Sequence, residues 1–416
     1  MKTTAFKNTD IGPIPEDWGT SPIGVICDIQ LGKMLDEEKN IGEPKPYLGN
    51  RAVQWNRIVL DGISTIRLTP EEQKRYLLQD GDLLVCEGGE VGRSAIWRTD
   101  LPECYYQKAL HRLRSKNGNT ICIEFLLQLF HLYSTSGIFE SSVTKTSIAH
   151  LPKDKLENIL VPLPPLPEQR RIAAALSDAD ELVASLDKLI EKKKRVKEGA
   201  MQRLLSGETR LPGFTGKWVE KKLGECSSIA RGGSPRPIEM YLTTDPTGVN
   251  WIKIGDVGDD AKYIESTSER IVPEGASHSR LVASGDLILS NSMSYGRPYI
   301  LKIDGCIHDG WLVIQKYSDT FDTEFLYYGL RTSAVTNQYQ ALAAGSSVHN
   351  LNKELVGNVV VLTPPTLAEQ RAIAAVLSDM DAEIAALSRE RAEAARIKQG
   401  MMQELLTGKT RLVKGE

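Results

Sequence analysis

The sequence predicts a mixed α/β protein: two similar α/β domains joined by two long helices that carry a coiled-coil stripe, the whole an internal repeat. Three observations carry this reading. Residues 164–211 recur without a gap as 365–412, both stretches place apolar residues at heptad spacing, and the residues before each mix short β-branched runs with helical ones. Length agrees, since 416 residues exceed one ordinary core. The expected boundaries are 1–160 for the first domain, 161–211 for the first helix, 212–362 for the second domain and 363–416 for the second helix.

The repeat comes first because it decides the organisation. At an offset of 201 there are 25 identities in 48 positions, too many for chance. Glu168-Gln169-Arg170 falls on Glu369-Gln370-Arg371, and Leu204-Leu205 with Gly207 falls on Leu405-Leu406 with Gly408. Each copy reads as one helix. Pro167 is an acceptable first helical residue, and Thr366 with Glu369 has the spacing of a capping box. Gly207 and Gly408 stand where left-handed caps end helices. The expected length is about 38 residues, roughly 57 Å at 1.5 Å per residue.

Ile172, Leu176, Val183, Leu186, Ile190 and Leu204 recur at alternating steps of four and three or their multiples. Ile373, Leu377, Ile384, Leu387, Met401 and Leu405 do the same in the second copy. That narrow stripe is a coiled-coil seam; the alternative is two amphipathic helices, each packed on its own domain. Lys193 and Lys197, with Arg391 and Lys398, interrupt the seam. They either snorkel or mark a register shift in which Val196 and Ile397 take over. The run Lys192-Lys193-Lys194-Arg195 fits a phosphate patch or, with Glu191 and Glu198 beside it, a solvated helix face.

The repeat continues more weakly into the domains. Trp18, Gly24, Ile29 and Gly32 match Trp218, Gly224, Ile229 and Gly232. Gly81-Asp82-Leu83-Leu84 matches Gly285-Asp286-Leu287-Ile288, and both lead to a Gly-Arg pair, Gly92-Arg93 and Gly296-Arg297. Helical stretches are expected at 124–133 and 323–333.

Composition narrows the function. Net charge of −3 supplies no global basic field, so any nucleic-acid contact is local. The six cysteines show no metal-type spacing and suit reduced thiols in a cytoplasm, and no apolar run approaches a membrane span. Catalytic motifs are missing. Thr407-Gly408-Lys409-Thr410 lacks the earlier glycine of a phosphate loop, Gly88-Gly89-Glu90-Val91-Gly92 lacks a following helix, and the histidines form no HExxH metal pair. No catalytic and no metal residue is assigned.

Polar, acid-free stretches precede each helix, from Ser141 to Lys153 and from Phe325 to Lys353. Such loops can donate to phosphates and read base edges, and they equally resemble ordinary solvent-facing loops. The favoured contacts are Lys145, Thr146 and Ser147 in one half, and Ser346, Ser347, His349 and Asn350 in the other. Arg93, Tyr295 and Arg297 suit either phosphate contact or hairpin support. Lys108, His111 and Arg112 suit either DNA contact or the outer face of a strand.

Leu166-Pro167-Glu168-Gln169-Arg170-Arg171-Ile172, its second copy Leu367-Ala368-Glu369-Gln370-Arg371-Ala372-Ile373, the Gly-Asp-Leu strands and the tryptophan opening each half resemble the specificity subunit of type I restriction–modification systems. The resemblance covers essentially the whole chain; Ala368 in place of Pro167 is its one departure. It implies two target recognition domains, each reading half of a split, asymmetric double-stranded DNA site, and helices paired as an antiparallel coiled coil. It implies a cytoplasmic, nucleoid-associated prokaryotic protein that binds no cofactor itself. Two modification subunits, with S-adenosylmethionine, would dock on the helices, and two restriction subunits, with ATP and Mg, would complete the complex. An enzyme acting alone and a protein-binding scaffold are the competing classes.

If the helices set the spacing of the half-sites, one heptad inserted into both should lengthen the pair by about 10.5 Å. The unread spacer should then grow by roughly three base pairs. Binding selection checks this; recovery of the original spacer would refute the ruler.

Overall fold

The computed structural model describes residues 5–413 except 37, 39, 100, 140–149, 259, 260, 292–295 and 344–350. The chain forms two compact units, one of Met1–Asp187 with Arg389–Glu416 and the other of Lys188–Ser388. Both boundaries fall inside the long helices, Leu166–Leu205 and Leu367–Leu405. Each unit therefore consists of a globular part and a segment of each helix.

In the first unit an antiparallel sheet runs Ser94–Ile96, Leu83–Cys86, Leu110–Ser115, Cys27–Leu31. A smaller sheet sets Tyr105–Tyr106 parallel to Glu43–Leu48, whose other edge pairs with Ser64–Leu68. The second unit repeats both. Ser228–Arg231, Trp311–Gln315, Leu287–Ser290 and Pro298–Leu301 lie in the matching order, and Gly305–Ile307 is parallel to Val249–Ile252 beside Glu269–Ile271. The central strands are apolar runs buried on both faces. The Gly-Asp-Leu motif opens them. Asp82 accepts the Gln79 N–H at 2.8 Å, and Asp286 accepts the Ala283 N–H at 2.9 Å, each closing the turn that feeds its strand.

The helix expected at 124–133 forms as Ile123–Thr135. The stretch at 323–333 divides into Thr323–Gly329 and Ser333–Ala343. The second piece corrects the reading of Phe325–Lys353 as polar loop. Despite its polar composition, the helix buries Val335 and Tyr339 in the core.

Each globular core is completed by both long helices. Ile172 and Leu176 from the first and Met402, Leu405 and Leu406 from the second pack with Trp18, Phe125 and Phe130. In the other unit Leu204 and Leu205 join Ile373 and Leu377 around Phe325 and Tyr328. Coiled-coil pairing and packing on domains are thus both present, at different points along the helices. Of the expected seam residues, Ile172, Leu176, Leu186, Ile190, Leu204, Ile373, Leu377 and Leu405 are buried, and Val183, Ile384, Leu387 and Met401 are half-buried.

Polar contacts give the direction. In the first unit Asp180 pairs with Lys398 at 2.5 Å and Asp187 with Arg391 at 2.9 Å. In the second, Lys193 pairs with Glu383 at 2.5 Å and Lys197 with Asp381. Partner numbers fall on one helix as they rise on the other, so the segments are antiparallel within each unit. The lysines do not mark a register shift: Val196 and Ile397 are each 51% exposed, while Lys197 and Lys398 stay in the seam, neutralised by aspartates. Lys193 and Lys194 pair with acids, as on a solvated helix face.

A clasp closes the helix pair in each unit. Arg411 donates to Glu168 through Nε and Nη2, both at 2.8 Å, and to Asp17 at 2.6 and 2.8 Å. Trp18 Nε1 donates to the same Glu168 at 3.2 Å. Arg210 donates to Glu369 at 2.5 and 2.7 Å, with its guanidinium 5.8 Å from the centre of the Trp218 ring. Thr366 accepts the Glu369 N–H at 3.3 Å, but the glutamate side chain goes to Arg210, so only half of the expected capping box forms. Gly207 and Gly408 both have φ of 74°. A Cβ on Gly408 would lie 2.4 Å from Pro15, and one on Gly207 would lie 3.2 Å from Trp218.

Arg210→Met should destabilise the chain by about 3–5 kcal/mol, because it strands the buried Glu369 carboxylate. Arg391→Met, which breaks a half-exposed pair, should cost about 1 kcal/mol or less. Urea unfolding of the two variants checks the contrast.

Candidate nucleic-acid interface

Loops from several strands converge at one end of the sheets in the first unit. The Gly32 N–H donates to Leu110 O at 3.1 Å and the Lys33 N–H to Tyr106 O at 3.0 Å, which fixes where the following loop departs. Asn50 Nδ2 donates to Gly88 O at 2.8 Å, and Arg93 returns to Asn50 at 2.8 and 3.1 Å. Leu151 N–H donates to Glu87 O at 2.7 Å, bringing the chain back to the same place after the segment 140–149.

The second unit builds the same cluster. Gly232 donates to Trp311 O at 2.9 Å, Gly233 to Ile307 O at 3.1 Å, and Leu351 to Asn291 O at 2.9 Å. Asn291 Nδ2 and Arg231 Nε both donate to Asp309 O at 2.9 Å. Ile254 N–H donates to His308 Nε2 at 3.0 Å. Burial pushes the His308 pKa below its ordinary value, against the opposing pull of Asp309. A neutral imidazole thus supports this loop.

Lys145, Thr146, Ser147, Tyr295, Ser346, Ser347, His349 and Asn350 lie outside the described residues. The residues that flank those segments belong to the clusters. Phe139 and Leu151 bracket one segment, beside Gly92 and Glu87; Tyr339 and Leu351 bracket the other, beside Gly296 and Asn291. Lys108 is exposed in the first cluster. Arg93 is held by Asn50 and Glu90 and supports its hairpin. Arg297 is half-buried, its N–H donating to Ser290 Oγ at 3.1 Å. The strand carrying His111 and Arg112 does not present them outward. His111 meets the Leu151 carbonyl at 2.9 Å, and Arg112 pairs with Asp28 at 2.6 Å with only 7% of its side chain exposed.

Sequence reasoning passed over the loop after Gly232. It carries Ser234 and Arg236, which border a groove with Trp251, Lys253, Ile254 and His308. The available signal was the Gly32–Gly232 match, which aligns this loop with residues 33–36. Chemically, the described residues offer the exposed Lys108 in the first cluster and Ser234 with Arg236 in the second, donors on a scaffolded sheet end that suit phosphate contact and base-edge readout. No group of metal-binding side chains occurs among the described residues, and none of the described helices is long and apolar enough to cross a membrane.

A family model for the type I restriction modification DNA specificity domain matches the chain twice, over residues 15–195 and 215–396. The type I restriction enzyme MjaVIII specificity subunit of Methanocaldococcus jannaschii is 28% identical, covering 99% of this chain and 97% of its own. The putative MjaX specificity subunit of the same organism is 25% identical over 99% of this chain and 98% of its own. The fold is similar to that of the type I restriction-modification S subunit from M. genitalium, with a TM-score of 0.60 at 16% identity, over 97% of this chain and 98% of that one. A chain from a structure of type I R-M complex assembly aligns with a TM-score of 0.62 at 23% identity, over 95% and 99%.

The hairpin of each cluster presses one left-handed glycine against an aromatic ring. Gly92 has φ of 80°, and a Cβ there would lie 2.3 Å from the Phe139 ring; Gly296 has φ of 82° and faces Tyr339 at 2.7 Å. Gly81 shares the left-handed backbone but faces open space. Gly92→Ala should therefore cost about 2–5 kcal/mol, combining strain with overpacking. Gly81→Ala should cost about 1–2 kcal/mol, from backbone strain alone. Thermal unfolding of the two variants tests this order.

Proposed function

From the premise that the chain belongs to the type I restriction modification DNA specificity family, we propose that its globular parts read the two halves of a bipartite, asymmetric DNA site. The carrying observation is that one strand order is used twice with unlike loops at equivalent sheet ends. An equal frame places loops comparably, and unlike loops read unlike half-sites. The chain itself supplies no chemistry in this reading. Two modification subunits bring S-adenosylmethionine and adenine methylation, and two restriction subunits bring ATP- and Mg-dependent cleavage. The long helices set the spacer and carry the modification subunits on faces left clear of the seam. The repetition of the clasp, Glu168 with Arg411 and Glu369 with Arg210, supports two equivalent docking sites.

Expression with its modification subunits, followed by mapping of methylated adenines, tests the reading. Two short, unlike half-sites at fixed separation are expected, and replacing the second globular part should change only one of them. Affinity should fall steeply with salt, as phosphate contacts require. A palindromic target, or methylation that ignores the exchange, would overturn the proposal.

A further inference from the structure

Equivalent loops in the two clusters carry charges of opposite sign. The hydrogen bonds of Gly32 and Lys33 correspond to those of Gly232 and Gly233, which fixes the alignment beyond them. Asp36 then stands where the second unit has Arg236. On the facing strand connection Leu110 corresponds to Trp311, so Lys108 stands where the second unit has Asp309. An acid and a base have changed places.

In the second unit this pair is built. Arg236 Nη2 donates to Asp309 Oδ2 at 3.4 Å, while 80% of the arginine side chain remains exposed. Asp309 is itself held, with Oδ1 accepting from Ser234 Oγ at 2.8 Å and its carbonyl taken by Arg231 and Asn291. Pro235 and Pro237 flank Arg236 and restrict its backbone. A carboxylate thus steers one edge of a guanidinium that projects from a stiff loop at the rim of the groove.

A phosphate also takes a bidentate guanidinium, but the Asp309 carboxylate beside Arg236 repels a second anion and does not repel a neutral base edge. A steered, planar pair of donors suits a guanine edge, whose O6 and N7 accept two parallel N–H groups. We propose that Arg236 reads a guanine in the half-site of the second globular part, with Asp309 as its positioning residue. The inference rests on the DNA-reading function proposed above. In the first unit the exchanged charges put a cation at Lys108 and a carboxylate at Asp36, a different donor pattern at the same place.

Binding selection from randomised duplexes, using the full chain with its modification subunits, provides the test. The wild type should select a guanine at a fixed position of one half-site. Arg236→Ala should reduce discrimination at that base pair roughly 5- to 150-fold, leaving the other half-site unchanged. Asp309→Asn should produce a smaller loss at the same base pair. Because Arg236 is mostly exposed, the thermal unfolding of Arg236→Ala should match that of the wild type. If Arg236→Ala weakens all sequences alike, with a salt slope shallower by about one, the residue is a phosphate anchor and the inference fails. An unchanged selected site also overturns it, while leaving the proposed function standing. A wild type without sequence preference overturns both.

Discussion

In each unit a buried glutamate at the start of one long helix is neutralised by an arginine just beyond the end of the other. Glu168 and Glu369 are essentially inaccessible to water. A carboxylate in that position is tolerable only with a cation and further donors around it. Glu168 has Arg411, Trp18 Nε1 and the Leu412 N–H; Glu369 has Arg210 and its own helix N-terminus. Those partners come within reach only when the segments run antiparallel in this register. Apolar seams tolerate slippage by a heptad, but a buried acid with a single matching arginine does not. The clasp therefore serves alignment more than net stability, since hydrophobic residues of similar size pack as well as an ion pair.

The residue next to each glutamate extends this alignment to the globular part. Gln169 Oε1 accepts the Cys122 N–H at 2.8 Å, and its amide donates to Thr120 O at 3.1 Å. Gln370 does the same for the Asp322 N–H at 2.8 Å and Thr320 O at 2.9 Å. These bonds hold the chain entering the helices Ile123–Thr135 and Thr323–Gly329, which fill the cores beneath the sheets. Alignment thus passes from helix seam to helix entry to sheet, and the sheet ends carry the loops. A specificity subunit needs this kind of frame, because base contacts discriminate only when the reading groups are held to a fraction of an ångström.

Much of the frame was legible because it depends on periodicity and repetition. The helices, their cap glycines, the seam and the Gly-Asp-Leu strands all follow from local pattern. Most of the failures share one cause: partners distant along the chain. Lys197 and Lys398 looked like interruptions of the seam because Asp381 and Asp180 sit on the opposite helix segment. Arg112 looked available because Asp28 lies on another strand. The helix Ser333–Ala343 looked like loop because its polar residues outnumber the few, Tyr339 among them, that enter the core. Arg236 drew no notice because the carboxylate that orients it is 73 positions away.

The same distribution of partners explains how one frame supports two different readers. Substitutions in the clasps, the cores or at Gly92 and Gly296 disturb buried groups that have no alternative arrangement. Substitutions in the loops beyond Gly32 and Gly232 disturb mostly solvated side chains, where changes cost a few tenths of a kcal/mol. Charge can therefore reverse between Asp36 and Arg236, and between Lys108 and Asp309, while the backbone bonds that launch both loops stay the same. On the reading proposed above, stability and recognition rest on separate residues, so the loops of the two units can differ while the frame stays the same. The frame would be lost first at the clasp, where few substitutions are neutral, and specificity would change first at the loops, where most are.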